Sequence, residues 1–351
     1  MGFRGGSSRN DAARSGGQGR GSVDSTAKNL SGRLAWLGSA AAAAVLAAVL
    51  RRWQLSSAFE ASGLAIPRAQ SSVILLCILV MSAAWFMLLA LNQRLTKRPM
   101  AAGQAHRWDL VFLDVGDPVY PGLVVAASLL ALAAAPVLLP VGLSQWRLYQ
   151  EAVAAGLDPP SSNGMLTIAT AVGALLAALG LLQMGRDGLR PGKRGRGGYS
   201  AALPGVAGCI WMMECFRGHA ANPVLWDYAP QLLAITCGMM LYMDFAGMSA
   251  GASRPRRLLW LAGMTMVLSA MSMVSAAADL SAATAMGGSV VSAQLGDLLL
   301  LSSQILASIA ILWRLPPNLE NPPAPRRGGS TRPRNDYDPR NASIQEETTD
   351  E

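Results

Sequence analysis

Histidine is almost missing from these 351 residues: His106 and His219 are the only two. Two imidazoles so far apart in sequence cannot build a histidine-based metal cluster, and no zincin helix is present. Cysteine is nearly as sparse. Cys77, Cys209, Cys215 and Cys237 show no paired spacing, which argues against a disulfide framework or a zinc site and leaves them as small apolar packing residues. Charged residues make up 14% of the chain against 52% hydrophobic, and the mean hydropathy is +0.31. That balance is too apolar for an ordinary soluble protein. A Walker loop and a nucleophile elbow are also missing, and the glycine-rich stretch 185–198 lacks the strand-then-helix setting of a phosphate cradle. The chain is therefore expected to bind no cofactor, and catalysis is not the first expectation.

What is present is a set of eight apolar segments. They are Leu34–Leu50, Ser72–Leu91, Leu123–Gly142, Met165–Met184, Ala201–Cys215, Pro230–Met248, Leu258–Val274 and Val290–Trp313. A membrane-crossing helix needs roughly 20 such residues to cover about 30 Å of hydrocarbon. The first segment is weak because it is mostly alanine, and the fifth because it is short and contains Pro204. If all eight cross, the even-numbered loops and both tails hold 24 of the 29 Lys and Arg residues, and the odd-numbered loops hold five. The positive-inside rule then predicts an all-α polytopic membrane protein of about eight helices, arranged as four outward hairpins, with both termini cytoplasmic. The pair Arg51-Arg52, in an outer loop, is the largest violation of that rule.

The predicted organisation is a disordered basic tail over 1–33, a membrane domain over 34–314, and a tail over 315–351 that is Pro-rich and then acidic. A cleaved signal peptide is the alternative for the first apolar segment, and would leave seven spans. Arg186, Arg190, Lys193, Arg194 and Arg196 make loop four the densest basic stretch, read as a topology-determining cytoplasmic connector. Net charge of +8 is scattered through short loops beside apolar segments, so anionic lipid headgroups are the expected partner rather than nucleic acid. The C-terminal tail is a candidate for binding a protein partner. One internal repeat is visible: Trp53, Leu55, Gly63, Leu64 and Pro67 recur 93 residues later as Trp146, Leu148, Gly156, Leu157 and Pro160. If it is a duplicated hairpin, it fits the habit of transporter folds.

Acidic residues inside spans are where function is sought first, because a carboxylate in hydrocarbon costs about 2.5–3.5 kcal/mol on insertion scales. Glu214, Asp244 and Asp297 qualify. Glu214 is expected to pair with Arg217 at a span end, and Asp244 with Arg254, Arg256 or Arg257. Asp297, close to Gln294 and followed by Gln304, is the best candidate for an intramembrane polar site. Asp244 and Asp297 invite comparison with intramembrane aspartyl proteases. Their depths, about 6 Å and about 24 Å above the cytoplasmic end of their spans, are too different for a shared proton. Ten of the 17 methionines fall between 212 and 273. The pairs Cys209/Met213 and Met239/Met243 offer a thioether face for Cu(I), though methionine is also the usual adaptable filler between helices.

The stretches Arg52-Trp53-Gln54-Leu55 with Ala58-Phe59-Glu60 and Gly63-Leu64, and Phe216-Arg217 with Asn222-Pro223 and Tyr228-Ala229-Pro230, resemble a group of multi-spanning membrane proteins of clostridia-like Gram-positive bacteria. The resemblance covers most of 45–275 and implies the cell membrane as location. It brings no activity to any residue, and the long tails depart from it. The leading functional reading is a non-enzymatic membrane scaffold or assembly partner, resting on the missing catalytic patterns and the charged tails. The alternative is a small-solute or ion transporter with its polar site around Asp297.

Overall fold

The structure is a computed structural model that describes residues 18–60, 66, 68–93, 117–157, 164–189, 200–219, 225–249, 254–286 and 289–320. Its regular elements are eight helices: α1 Gln18–Ser57, α2 Gln70–Asn92, α3 Val119–Ala154, α4 Met165–Leu189, α5 Ala202–Gly218, α6 Leu225–Ser249, α7 Pro255–Met286 and α8 Ser289–Glu320. Each predicted apolar segment lies on one of them, α5 taking all of the fifth but its first residue. Seven are long and apolar enough to cross a membrane. The exception is α5, whose 17 residues reach only about 26 Å. Pro204 is the third residue of that helix, where its missing N–H would have had no intrahelical partner in any case.

Contacts at the two ends of the bundle establish the alternation. At one end, Arg33 of α1 meets Asp117 just before α3, and Trp313 near the end of α8 donates to the same carboxylate. Gln93, just past α2, donates to the carbonyl of Pro316 on α8 and accepts from Arg256 at the start of α7. At the other end, Arg51 of α1 donates to Ser275 of α7, and Gln54 of α1 donates to Ser72 of α2. The helices thus run up and down in turn, as the loop charges predicted, and form a polytopic helical membrane protein.

Six helices, α3 through α8, form a ring in which each packs on the next and α8 closes on α3; α1 lies outside against α7 and α8, and α2 against α1 and α7. Small residues allow these approaches, as is usual where helices pack in lipid. A Cβ on Gly208 of α5 would lie 3.2 Å from Met239 of α6, and one on Gly263 of α7 would lie 3.0 Å from Phe86 of α2. Gly164, opening α4 at φ +70°, is required twice over: its backbone is left-handed, and a Cβ would lie 2.6 Å from the amide nitrogen of Trp146. The outward faces are apolar. Val73, Leu76, Val80, Trp85 and Leu88 of α2 are exposed, a surface suited to lipid and a liability in water.

Several boundaries differ from the sequence expectation. α1 begins at Gln18, inside the stretch expected to be disordered; no proline interrupts residues 18–33, and extending a formed helix adds a hydrogen bond per residue. α8 continues to Glu320 through Pro316 and Pro317, so six residues of the expected C-terminal tail are helical. α3 continues to Ala154, making 36 residues or about 54 Å, well beyond a bilayer core. Of the repeat, Trp53 and Trp146 both lie on helices, and Gly156 takes a left-handed turn at φ +68°. Gly63, Leu64, Pro67 and Pro160 lie outside the described residues, as do Arg190, Lys193, Arg194, Arg196 and residues 321–351. Arg186 is on the last turn of α4, where a cation complements the helix dipole.

Candidate polar site within the bundle

Asp297 lies in the third turn of α8, facing α5 and α6. Trp211 of α5 donates its indole N–H to Oδ1 at 2.9 Å, and Gln231 of α6 donates Nε2 to Oδ2 at 3.0 Å. Both donors are neutral. The carboxylates at the other end of the bundle are treated differently: Asp117 has Arg33 at 3.3 Å and Asp244 has Arg257 at 2.9 Å. Asp297 alone of these three has no paired cation among the described residues. A charged group inside a bundle is costly to hold without compensation, and two neutral donors compensate only in part.

The other predicted residues separate into distinct places. Asp244 does form its expected pair, with Arg257 in the first turn of α7. It lies 13 residues beyond Gln231 on the same helix, about 20 Å along the axis, so the two aspartates cannot share a proton. Glu214 does not form the expected pair with Arg217: it is half-buried on α5 while Arg217 is exposed. Gln294, half-buried one turn before Asp297, takes no part in the hydrogen bonds to it. Gln304 is buried two turns deeper, about 10 Å along α8, where Ser269 of α7 donates to its Oε1 at 3.2 Å.

Below Trp211 the ring leaves a narrow, half-open and mostly apolar cavity of about 30 Å³. Its walls include Thr170 and Leu181 of α4, Pro204 and Trp211 of α5, Tyr242 of α6, and Leu300, Ser303 and Gln304 of α8. Asp297, Leu300 and Gln304 share one face of α8, so the carboxylate and the cavity lie along one line. Thr170 is 2% exposed and its hydroxyl has no hydrogen-bond partner. Ser303, by contrast, is satisfied by donating to the carbonyl of Ala127.

Trp211, Gln231, Thr170 and Tyr242 were not singled out from sequence. Gln231, a lone amide behind Pro230 in an apolar run, was the one legible signal. The sulfur-rich segment places the Cys209 thiol 3.1 Å from the Met239 sulfur, a direct contact too close to hold an ion between them, while Met213 is exposed on another face. Arg51, the largest exception to the charge rule, is fully buried: it donates to Ser275 at 2.8 Å and to Gln54 at 2.7 Å. It is a packing residue of the bundle, which leaves Arg52 as the exposed member of the pair.

No family model matches this chain, and no curated protein or solved structure matches it either.

Proposed function

We propose that this integral membrane protein passes a small solute or ion across the bilayer, and that Asp297 is the polar site it passes. The observation that carries this reading is the carboxylate on α8, without a paired cation among the described residues, held by neutral donors from two other helices, one of which also lines a small cavity. An ionisable residue inside a helical bundle marks a substrate or ion path by default. The scaffold reading draws its support from missing catalytic patterns and the charged tails; the setting of Asp297 is the observation that places transport first. Under this reading the location is the cell membrane with both termini cytoplasmic, and the loop-four basic residues face anionic headgroups.

Asp297→Asn keeps the shape and one of the two acceptor oxygens while removing the charge. Gradient-driven flux through purified, reconstituted protein is expected to fall to the level of protein-free liposomes, with membrane abundance unchanged. Wild-type flux in the variant would return Asp297 to a purely structural role. Orientation is tested separately: a single cysteine placed between 185 and 198, in a chain otherwise free of cysteine, should not react with an impermeant thiol reagent in intact cells. Labelling there would invert the topology.

A further inference from the structure

We propose that the cavity beneath Trp211 is a water site serving Asp297, and that the species moved is the proton. This rests on the transport reading and narrows its substrate. A volume of about 30 Å³ has room for about two water molecules, at roughly 10–15 Å³ of such volume each. A buried water needs polar partners, and the walls supply them. Thr170 presents a hydroxyl that is otherwise unpartnered at 2% exposure. Tyr242 and Gln304 line the same space from α6 and α8. An apolar cavity of this size would stay dry; one with an unsatisfied hydroxyl in its wall would not.

The cavity lining contains no carboxylate, which disfavours a resident metal cation and favours a neutral occupant. Asp297 does not itself line the cavity, but the Trp211 indole, which does, donates to its carboxylate. The titratable groups around that carboxylate are Glu214 and Cys215 of α5 and His219, which caps that helix. Trp211 is both the roof of the cavity and a donor to the carboxylate, so its displacement would open one to the other. In the transfer step a hydronium O–H bond breaks, its electron pair stays on the water oxygen, and a new O–H bond forms on the Asp297 carboxylate. The reverse step releases the proton on the other side.

The test uses full-length protein in liposomes loaded with a pH-reporting dye, with the membrane potential clamped by potassium and valinomycin. Wild-type protein is expected to collapse an imposed pH gradient faster than empty liposomes. Thr170→Val, nearly the same shape without the hydroxyl, should slow that collapse roughly tenfold through loss of the water's anchor, and Thr170→Ser should restore it. Gly238→Ala provides an independent check. Its new Cβ would sit 2.5 Å from Gln304 Nε2, so the amide must shift and the water site with it; proton flux should drop again. Thr170→Val and Gly238→Ala proteins that fold and conduct protons like wild type would overturn the water site. Flux of sodium or potassium but not protons, lost in Asp297→Asn, would sink the proton inference and leave transport standing. Wild-type liposomes indistinguishable from empty ones for all three cations and a panel of small solutes would remove the wider reading itself.

Discussion

Helices α2 and α7 touch each other, yet they live in different solvents. In α7, 72% of the most apolar window is buried against protein; in α2 the figure is 22%. Their compositions follow. α2 carries Val73, Ile74, Leu76, Val80, Met81 and Leu88 on exposed faces, because lipid tails accept only apolar side chains. α7 exposes no large apolar side chain among its described residues, and instead buries Thr265, Ser269 and Ser272. A protein neighbour satisfies one of these hydroxyls, Ser269 donating to Gln304 of α8. Ser272 bonds back to the carbonyl of Leu268 on its own helix, and Thr265 has no hydrogen-bond partner. Apolarity in this chain therefore marks the lipid boundary, and moderate polarity marks the centre, the reverse of a soluble protein.

The largest effect expected from this contrast comes from truncating one leucine in each helix. Leu259 of α7 is fully buried, and Leu259→Ala leaves a cavity in close-packed surroundings at a cost of about 2–5 kcal/mol. Leu76 of α2 is 47% exposed, and Leu76→Ala should stay within about 0.5 kcal/mol because lipid or detergent refills the space. Thermal unfolding of the two variants in the same detergent measures the gap. Equal losses would mean that α2 is covered by something other than lipid.

A smaller but sharper contrast lies within one dipeptide. Arg51→Met removes the donor to the half-buried Ser275 and the buried Gln54, a loss of about 1.5–3 kcal/mol for a charge-assisted contact. Arg52→Met alters an exposed side chain and should cost almost nothing. Comparing the two in unfolding experiments shows whether α1 is held to α7 by that polar junction. Matching stabilities would assign α1's attachment to its alanine face, where Ala40, Ala44 and Ala47 are buried.

Much of this architecture could be read before any coordinates. Eight apolar runs and alternating loop charge are local properties, and helices in lipid must satisfy their own backbones, so each run became a helix. The Asp244 pairing was legible for a similar reason, since its partner follows within one short loop. The site around Asp297 was visible only as a lone carboxylate. Its donors, Trp211 and Gln231, come from two other helices, 86 and 66 residues away, and no one-dimensional pattern ties such residues together. Arg51 misled for the opposite reason: counting it as a loop charge ignored that a serine 224 residues on would bury it. Hydropathy was also blind to which helices formed the ring, because lipid-facing and protein-facing apolar residues look alike in composition.

The smallest expected effect asks how a helix bathed in lipid is kept in register. Flank packing gives α2 little specificity, since tails compete with side chains for the same apolar surface. Polar ties supply it instead. Gln93 accepts from the Trp36 indole at 3.2 Å and donates to Pro316 at 3.1 Å, binding the end of α2 to α1 and α8. Near its middle, Trp260 of α7 donates to the carbonyl of Ala83. Gln93→Leu should lower stability by only about 1 kcal/mol, because the indole and the carbonyl are left without that partner. Its signature is local: hydrogen exchange should quicken over the last two turns of α2 and stay unchanged in α7. Faster exchange spread evenly through both helices would show that α2 and α7 open as one unit, and that lipid and protein surroundings do not divide the molecule in the way their compositions imply.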